Sequence, residues 1–216
     1  MTNKTTNRMK KIFSVILGCL LATAAFGQTA EEIVARMDEV MGQHSESEGL
    51  IMTMDMKLPI IGTISTTAYT LGNKIRMEAN TGDGNIISWM NEDTSWTYDV
   101  NKNEIEIENR KSSSSEAEDN AKMLTGITEG YSVSIKRQTA DAWYINCKKL
   151  KTNKEKDDPK TMELVVAKDT YRPISLSATL SLVTVTIRNL NFGVTESQVT
   201  FDPSQYPGAR IIDKRQ

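Results

Sequence analysis

The sequence predicts a mainly β protein of the α+β class, built on a strongly curved antiparallel sheet. Three observations predict it. From Gly49 onward, short runs with period-two alternation are separated by turn residues at regular spacing, which gives about ten strands. Only the segment before them carries a clear 3.6-residue repeat, with a second short helix suggested by "AEDNAKMLTGI". Hydrophobic residues make up 38% of the chain and aromatic residues 6%, which suits a sheet with one apolar and one wet face.

The N-terminus reads as a secretory signal peptide over residues 1–27. A basic, polar start "MTNKTTNRMKK" leads into the apolar run "IFSVILGCLLATAAF", and small residues suited to cleavage follow at "AFGQ". The run is short for a transmembrane helix, which needs about 20 apolar residues. A lipid anchor on Cys19 is the rival, because "ILGC" resembles a lipobox, but "LLATAAF" would make an oddly apolar mature start. Residues 28–216 then form a single domain. With Lys4, Arg8, Lys10 and Lys11 removed, 22 Lys and Arg face 28 Asp and Glu, so the net charge moves from −2 to −6. An acidic exported chain without a basic stripe is not a nucleic-acid binder. Cys147 is then the one remaining cysteine, so no intrachain disulfide can form; in "AWYINCKKL" it shares a face with Trp143 and Ile145 and reads as a small buried residue.

The mature chain opens on "TAEEIVARMDEVMGQH". Thr29 and Glu32 have capping-box spacing, Ile33, Met37, Val40 and Met41 form one helical stripe, and Gly42 offers a stop. "LIMTMDMKL" follows. Leu50, Met52, Met54, Met56 and Leu58 share one strand face, so three of the chain's 11 methionines stand in a row. Methionine is unbranched and deformable, and it suits surfaces that must fit variable apolar partners; a plain core is the simpler reading. Further along, Trp96, Tyr98 and Val100 share a face, and "EIEIE" alternates strictly, as a solvated strand face does. "RKSSSSEAEDN" breaks the periodicity and reads as a loop.

Catalytic patterns are missing. His44 is the sole histidine, no serine sits in GxSxG, and "TGDGN" lacks the lysine and following helix of a phosphate loop. His44 and Cys147 alone cannot supply a zinc site, and calcium-loop spacing is absent. Neither an enzyme nor a metal or cofactor is expected.

Taken in order, the segments resemble the LolA–LolB superfamily, the periplasmic lipoprotein carriers and their LolA-like relatives. "TAEEIVARMDEVMGQHSESEG" looks like the family's first helix, "LGNKIRMEA" is similar to its strand-turn-strand, and "NEDTSWTYD" places Trp96 and Tyr98 at its aromatic positions. At the end, Phe201, Pro203, Gly208 and Asp213 fall in register with the closing pattern. The resemblance implies an incomplete barrel of about eleven antiparallel strands, with helices covering its concave face and acyl chains held between. It implies a periplasmic carrier of lipoproteins or other lipids, monomeric, without cofactor, working between an inner-membrane exporter and an outer-membrane acceptor. Leu71 and Gly72 stand where the best-known carriers have a gating arginine and a proline. The expected ligand wall is Leu50, Met52, Met54, Met56 and Leu58 opposite Ile33, Met37 and Met41, extended by Met77 and Met90 and by Leu164, Leu176 and Leu180. The alternative is a binder or sensor of a small hydrophobic ligand that does not shuttle, and a closed core with no ligand is the third reading.

Overall fold

The computed structural model describes residues 27–81, 84–110, 126–156 and 158–215. The signal segment with Cys19, most of the serine-rich loop and the short helix expected after it lie outside them. Helix α1 (Ala30–Glu48) leads into β1 (Leu50–Leu58), β2 (Gly62–Leu71), β3 (Lys74–Thr81), β4 (Gly84–Met90), β5 (Thr94–Asp99) and β6 (Glu104–Asn109). Then come β7 (Tyr131–Gln138), β8 (Ala142–Lys149), β9 (Thr161–Ala167), β10 (Pro173–Leu180) and β11 (Val183–Phe192). A four-residue helix α2 (Glu196–Val199), a 3-10 turn (Pro203–Gln205) and β12 (Arg210–Asp213) close the chain.

Helix α1 starts as its sequence dictates. The Thr29 hydroxyl accepts from the Glu32 N–H at 3.2 Å, and the Glu32 carboxylate accepts from the Thr29 N–H at 3.1 Å. It does not stop at Gly42. A mid-helix glycine costs only about 1 kcal/mol relative to alanine, and tertiary packing outweighs that. The stop is Gly49, at φ 69°, where an added Cβ would stand 2.3 Å from the Thr70 carbonyl oxygen.

The strands form one 12-stranded sheet in the order β12-β6-β5-β4-β3-β2-β1-β11-β10-β9-β8-β7. Neighbours are antiparallel except β12 on β6, which is parallel, so the sheet is mixed. This corrects the expected fold. The sheet is open, with β12 and β7 as its two edges. It is not a strongly curved incomplete barrel of about eleven strands, and in place of covering helices it has α1 and the four-residue α2.

The register gives the physical reason. Met52 pairs with Ala68, Ala68 with Met77, Met77 with Ser88, Ser88 with Thr97 and Thr97 with Glu106, so these six share one face. On that face the core lies at the β1–β2 and β7–β11 end, where α1 packs on Leu50, Met52, Ala68, Ile145 and Leu164. By β6 the same face has become Glu104, Glu106 and Glu108, paired with Arg210 and Lys214. Between β4 and β6 the buried residues are Trp89, Ile105 and Ile107, on the opposite face. The last segment of the chain covers them, with Phe201 and Tyr206 against Trp89 at 5.3 and 5.5 Å between ring centroids. A barrel needs one face to be interior along every strand. Here the buried face changes sides partway across the sheet.

On the face away from Met54, the Asp55 carboxylate accepts from Arg188 Nε at 2.5 Å and Nη2 at 3.1 Å, and from the Ser65 hydroxyl at 2.7 Å. The Arg188 hydrogen bond holds the Asp55 carboxyl below its ordinary range. A carboxyl lowered on folding stabilises the fold fully above its unfolded value, and that contribution is lost as pH falls through the folded value. The expected result is that wild type loses stability more steeply than Asp55→Asn below about pH 4. Melting temperatures of both proteins across the acid range check this; parallel curves would remove the pair from the account.

Candidate functional site

The methionine row on β1 grades from closed to open. Leu50 and Met52 are each 3% exposed and join Ile33, Met37 and Met41 of α1 in the core. Met54, Met56 and Leu58 are half-buried. Beyond them the turn carries Ile60 and Ile61, both exposed.

Helix geometry explains the gradient. Helix α1 has 19 residues and is about 28 Å long at 1.5 Å per residue. It touches β2, β11 and β7, and in the sheet order β2 and β7 lie six strand spacings apart. Six spacings of about 4.8 Å make about 29 Å, so the helix crosses the strands instead of running along them. A helix is about 10–12 Å wide and shields only about three residues of each strand it crosses. On β1 that is the Leu50–Met52 end. The rest of the row continues past it on the same face.

Around the uncovered part the neighbours are uncharged and, apart from Thr66, apolar. Met54 pairs with Ile187 and Thr66, and Met56 with Val185 and Ile64. Met77 and Ala79 continue this face on β3, and all of these side chains are half-buried. The result is a strip of mainly apolar side chains, with no charged residue among them, on the sheet face next to α1.

The remaining predicted residues fall as follows. Met90 is half-buried and opposite Ile75, on the same face but toward the polar β5–β6 side. Leu164 and Leu176 are buried under α1, and Leu180 is exposed at the far end of β10. Leu71 ends β2. Arg76 projects to the opposite face, lies over the rings of Tyr69 and Trp89 at 5.6 and 5.4 Å, and pairs with Glu78 at 2.6 Å. It stands behind the methionine row. Sequence reasoning missed Ile64, Val185 and Ile187. Their signal was present in the alternation of β2 and β11, but only the strand order β2-β1-β11 brings them beside Met54 and Met56.

No catalytic arrangement assembles among the described residues. His44 Nδ1 lies 2.7 Å from Glu48 within α1, and its ring stacks on Phe192 at 5.1 Å. No group of three or more His, Cys, Asp and Glu side chains among the described residues could hold a metal ion. Cys147 is fully buried, and burial pushes its thiol up to about 11. The expected result is no labelling of Cys147 by a thiol reagent in the native protein at pH 8 and stoichiometric labelling of it in urea, read by peptide mapping. Rapid native labelling of Cys147 would contradict the sealed position.

No protein-family model matches the sequence, and comparison with curated proteins finds no match either. Solved structures do align with the chain. It is similar to an uncharacterized conserved protein from Thermus thermophilus, at 15% identity over 86% of this chain and 99% of that one, with a TM-score of 0.45. It is also similar to a LolA superfamily protein from Nitrosomonas europaea, at 11% identity over 82% of this chain and 100% of that one, TM-score 0.31. The Mycobacterium tuberculosis lipoprotein LppX aligns at 9% identity over 76% of this chain and 97% of that one, TM-score 0.46.

Proposed function

We propose that this chain is an exported carrier that binds the acyl chains of lipids or lipoproteins along the uncovered part of the methionine face and conveys them across the periplasm toward the outer membrane. The supporting observation is the grading of β1, from Met52 sealed under α1 to Met54 and Met56 half-buried among Ile64, Val185 and Ile187. Transfer of acyl methylenes from water onto such a surface contributes about 0.8 kcal/mol each, so several methylenes hold a chain without polar recognition. Deformable methionines let the same strip accept chains of different length. The carrier needs no cofactor and makes or breaks no bond.

Native mass spectrometry of the protein purified gently from its own periplasm, with extraction of bound lipid, is the test. The expected result is an acyl lipid or lipopeptide at near-unit stoichiometry, released to acceptor vesicles. A protein that is empty and also takes up no fluorescent fatty acid would overturn the proposal. Bound lipid that never leaves for vesicles would replace the carrier with a non-shuttling binder.

A further inference from the structure

The sheet has two ends, and their turns differ. At one end lie the β2–β3, β4–β5, β7–β8 and β9–β10 turns, whose residues at 72–73, 91–93, 139–141 and 168–172 include no exposed large hydrophobic side chain. At the other end, the β1–β2 turn presents Ile60 and Ile61, 97% and 74% exposed, and the β10–β11 turn presents Leu182, 78% exposed. These turns are neighbours. Lys57 pairs with Thr184 across β1 and β11, Leu58 with Gly62 across the first hairpin, and Leu180 with Val183 across the second. The hairpins share the β1–β11 seam, so their tips stand side by side, on the order of 10 Å apart.

Lysines surround the tips. Lys57 is exposed on β1. The β8–β9 connection approaches from the other side, and Lys156 and Lys160 line a cleft that it forms with Thr179, Leu180 and Ser181 of the second hairpin. From Lys148 to Lys160 the sequence holds six lysines against Glu155, Asp157 and Asp158, in a chain whose net charge is −2. Large aliphatic side chains on narrow turns make a poor flat protein interface. A few of them amid lysines match a headgroup layer with anionic phosphates and an apolar interior just beneath.

We propose that the paired β1–β2 and β10–β11 turns dock this protein on an anionic lipid bilayer, with Ile60, Ile61 and Leu182 entering the interface and Lys57, Lys156 and Lys160 meeting the phosphates. This rests on the proposed carrier function for its purpose, because Leu58, Met56 and Met54 continue from the turn along one strand face. An acyl chain leaving the bilayer at the tips meets that apolar row first.

The test is co-sedimentation of the protein, in the form the cell accumulates, with vesicles of phosphatidylethanolamine and phosphatidylglycerol, beside the triple variant Ile60→Ser, Ile61→Ser, Leu182→Ser. All three side chains are exposed, so the melting temperature is expected to stay unchanged. Partitioning of the variant is expected to fall at least about tenfold, and wild-type binding to weaken when phosphatidylcholine replaces the anionic lipid. Equal partitioning of the two proteins, or no binding by wild type, overturns the proposal. Wild-type self-association that the variant loses, without vesicle binding, also overturns it and makes a second copy the occupant. Fatty-acid uptake without vesicles reads the methionine strip alone. Vesicle binding by a protein that takes up no fatty acid would overturn the carrier reading and leave the docking surface standing.

Discussion

Two substitutions on one strand face, two residues apart, are expected to fail in different ways. Met52→Asp is expected to unfold the protein or cost at least about 4 kcal/mol. Met52 is 3% exposed in the cluster with Ile33, Met37 and Met41, and none of those neighbours can solvate a carboxylate. Loss of the methionine's own packing adds to the penalty. Met54→Asp meets a different environment. Its side chain is half-buried beyond α1 and keeps access to water, so the fold is expected to survive with a loss of about 1 kcal/mol. Its effect falls on the ligand, because a carboxylate in the middle of the strip would have to be desolvated by an incoming acyl chain. Fatty-acid affinity is expected to drop at least about tenfold. Urea titration measures the first difference and fluorescent fatty-acid binding the second. If Met54→Asp collapses the fold like Met52→Asp, the strip is core and the carrier proposal fails. If it binds fatty acid like wild type, the ligand lies elsewhere.

Alternation and capping, the local information, were legible in the sequence and largely sufficient for the elements. Thr29 and Glu32 marked the start of α1, and of the predicted stripe Ile33, Met37 and Met41 are buried, whereas Val40 is half-buried and Val34 joins the core instead. The alternation in "LIMTMDMKL" and "EIEIE" placed residues on the correct faces of β1 and β6. Pairing between distant segments was not legible. Nothing local says that β1 lies between β2 and β11, and therefore nothing local places Val185 and Ile187 beside Met56 and Met54. Closure failed for the same reason. Trp96 and Tyr98 could be seen to share a face, but the sequence does not say which side of the sheet that face is on. The strand register puts it opposite the methionine row, and that relation excludes a single barrel interior. The stop of α1 illustrates a further limit. Gly42 and Gly49 are equivalent stops in one dimension, and they are separated by tertiary surroundings: the Thr70 carbonyl, Val194 and Leu71 crowd Gly49, and nothing crowds Gly42.

Trp89→Ala is expected to be among the most destabilising substitutions outside the α1 core, at about 3–5 kcal/mol. Trp89 is 3% exposed and is the hub of the second core. Phe201 and Tyr206 meet its ring edge-on, Arg76 lies over it, and Phe201 also stacks on Trp96 at 5.4 Å. Removing the indole empties the contact between the sheet and the segment from Phe201 to Tyr206, which has no strand pairing of its own there. Arg76 is worse placed still. Its Nε is buried without a hydrogen-bond acceptor, so it depends on ring contact on that side. The consequence is directional. The C-terminal segment is expected to loosen from β3–β6 while α1 and the methionine face stay packed, because those lie on the other side of the sheet. Chymotrypsin is expected to cut after Phe201 in Trp89→Ala well before it cuts the rest of the chain (the bond after Tyr206 is protected by Pro207), while fatty-acid uptake in the surviving folded fraction is retained. Digestion followed by mass spectrometry gives the order of cutting. Simultaneous loss of protection across the whole chain would mean that the two cores fold as one unit, and that the change of buried face across the sheet does not divide its stability.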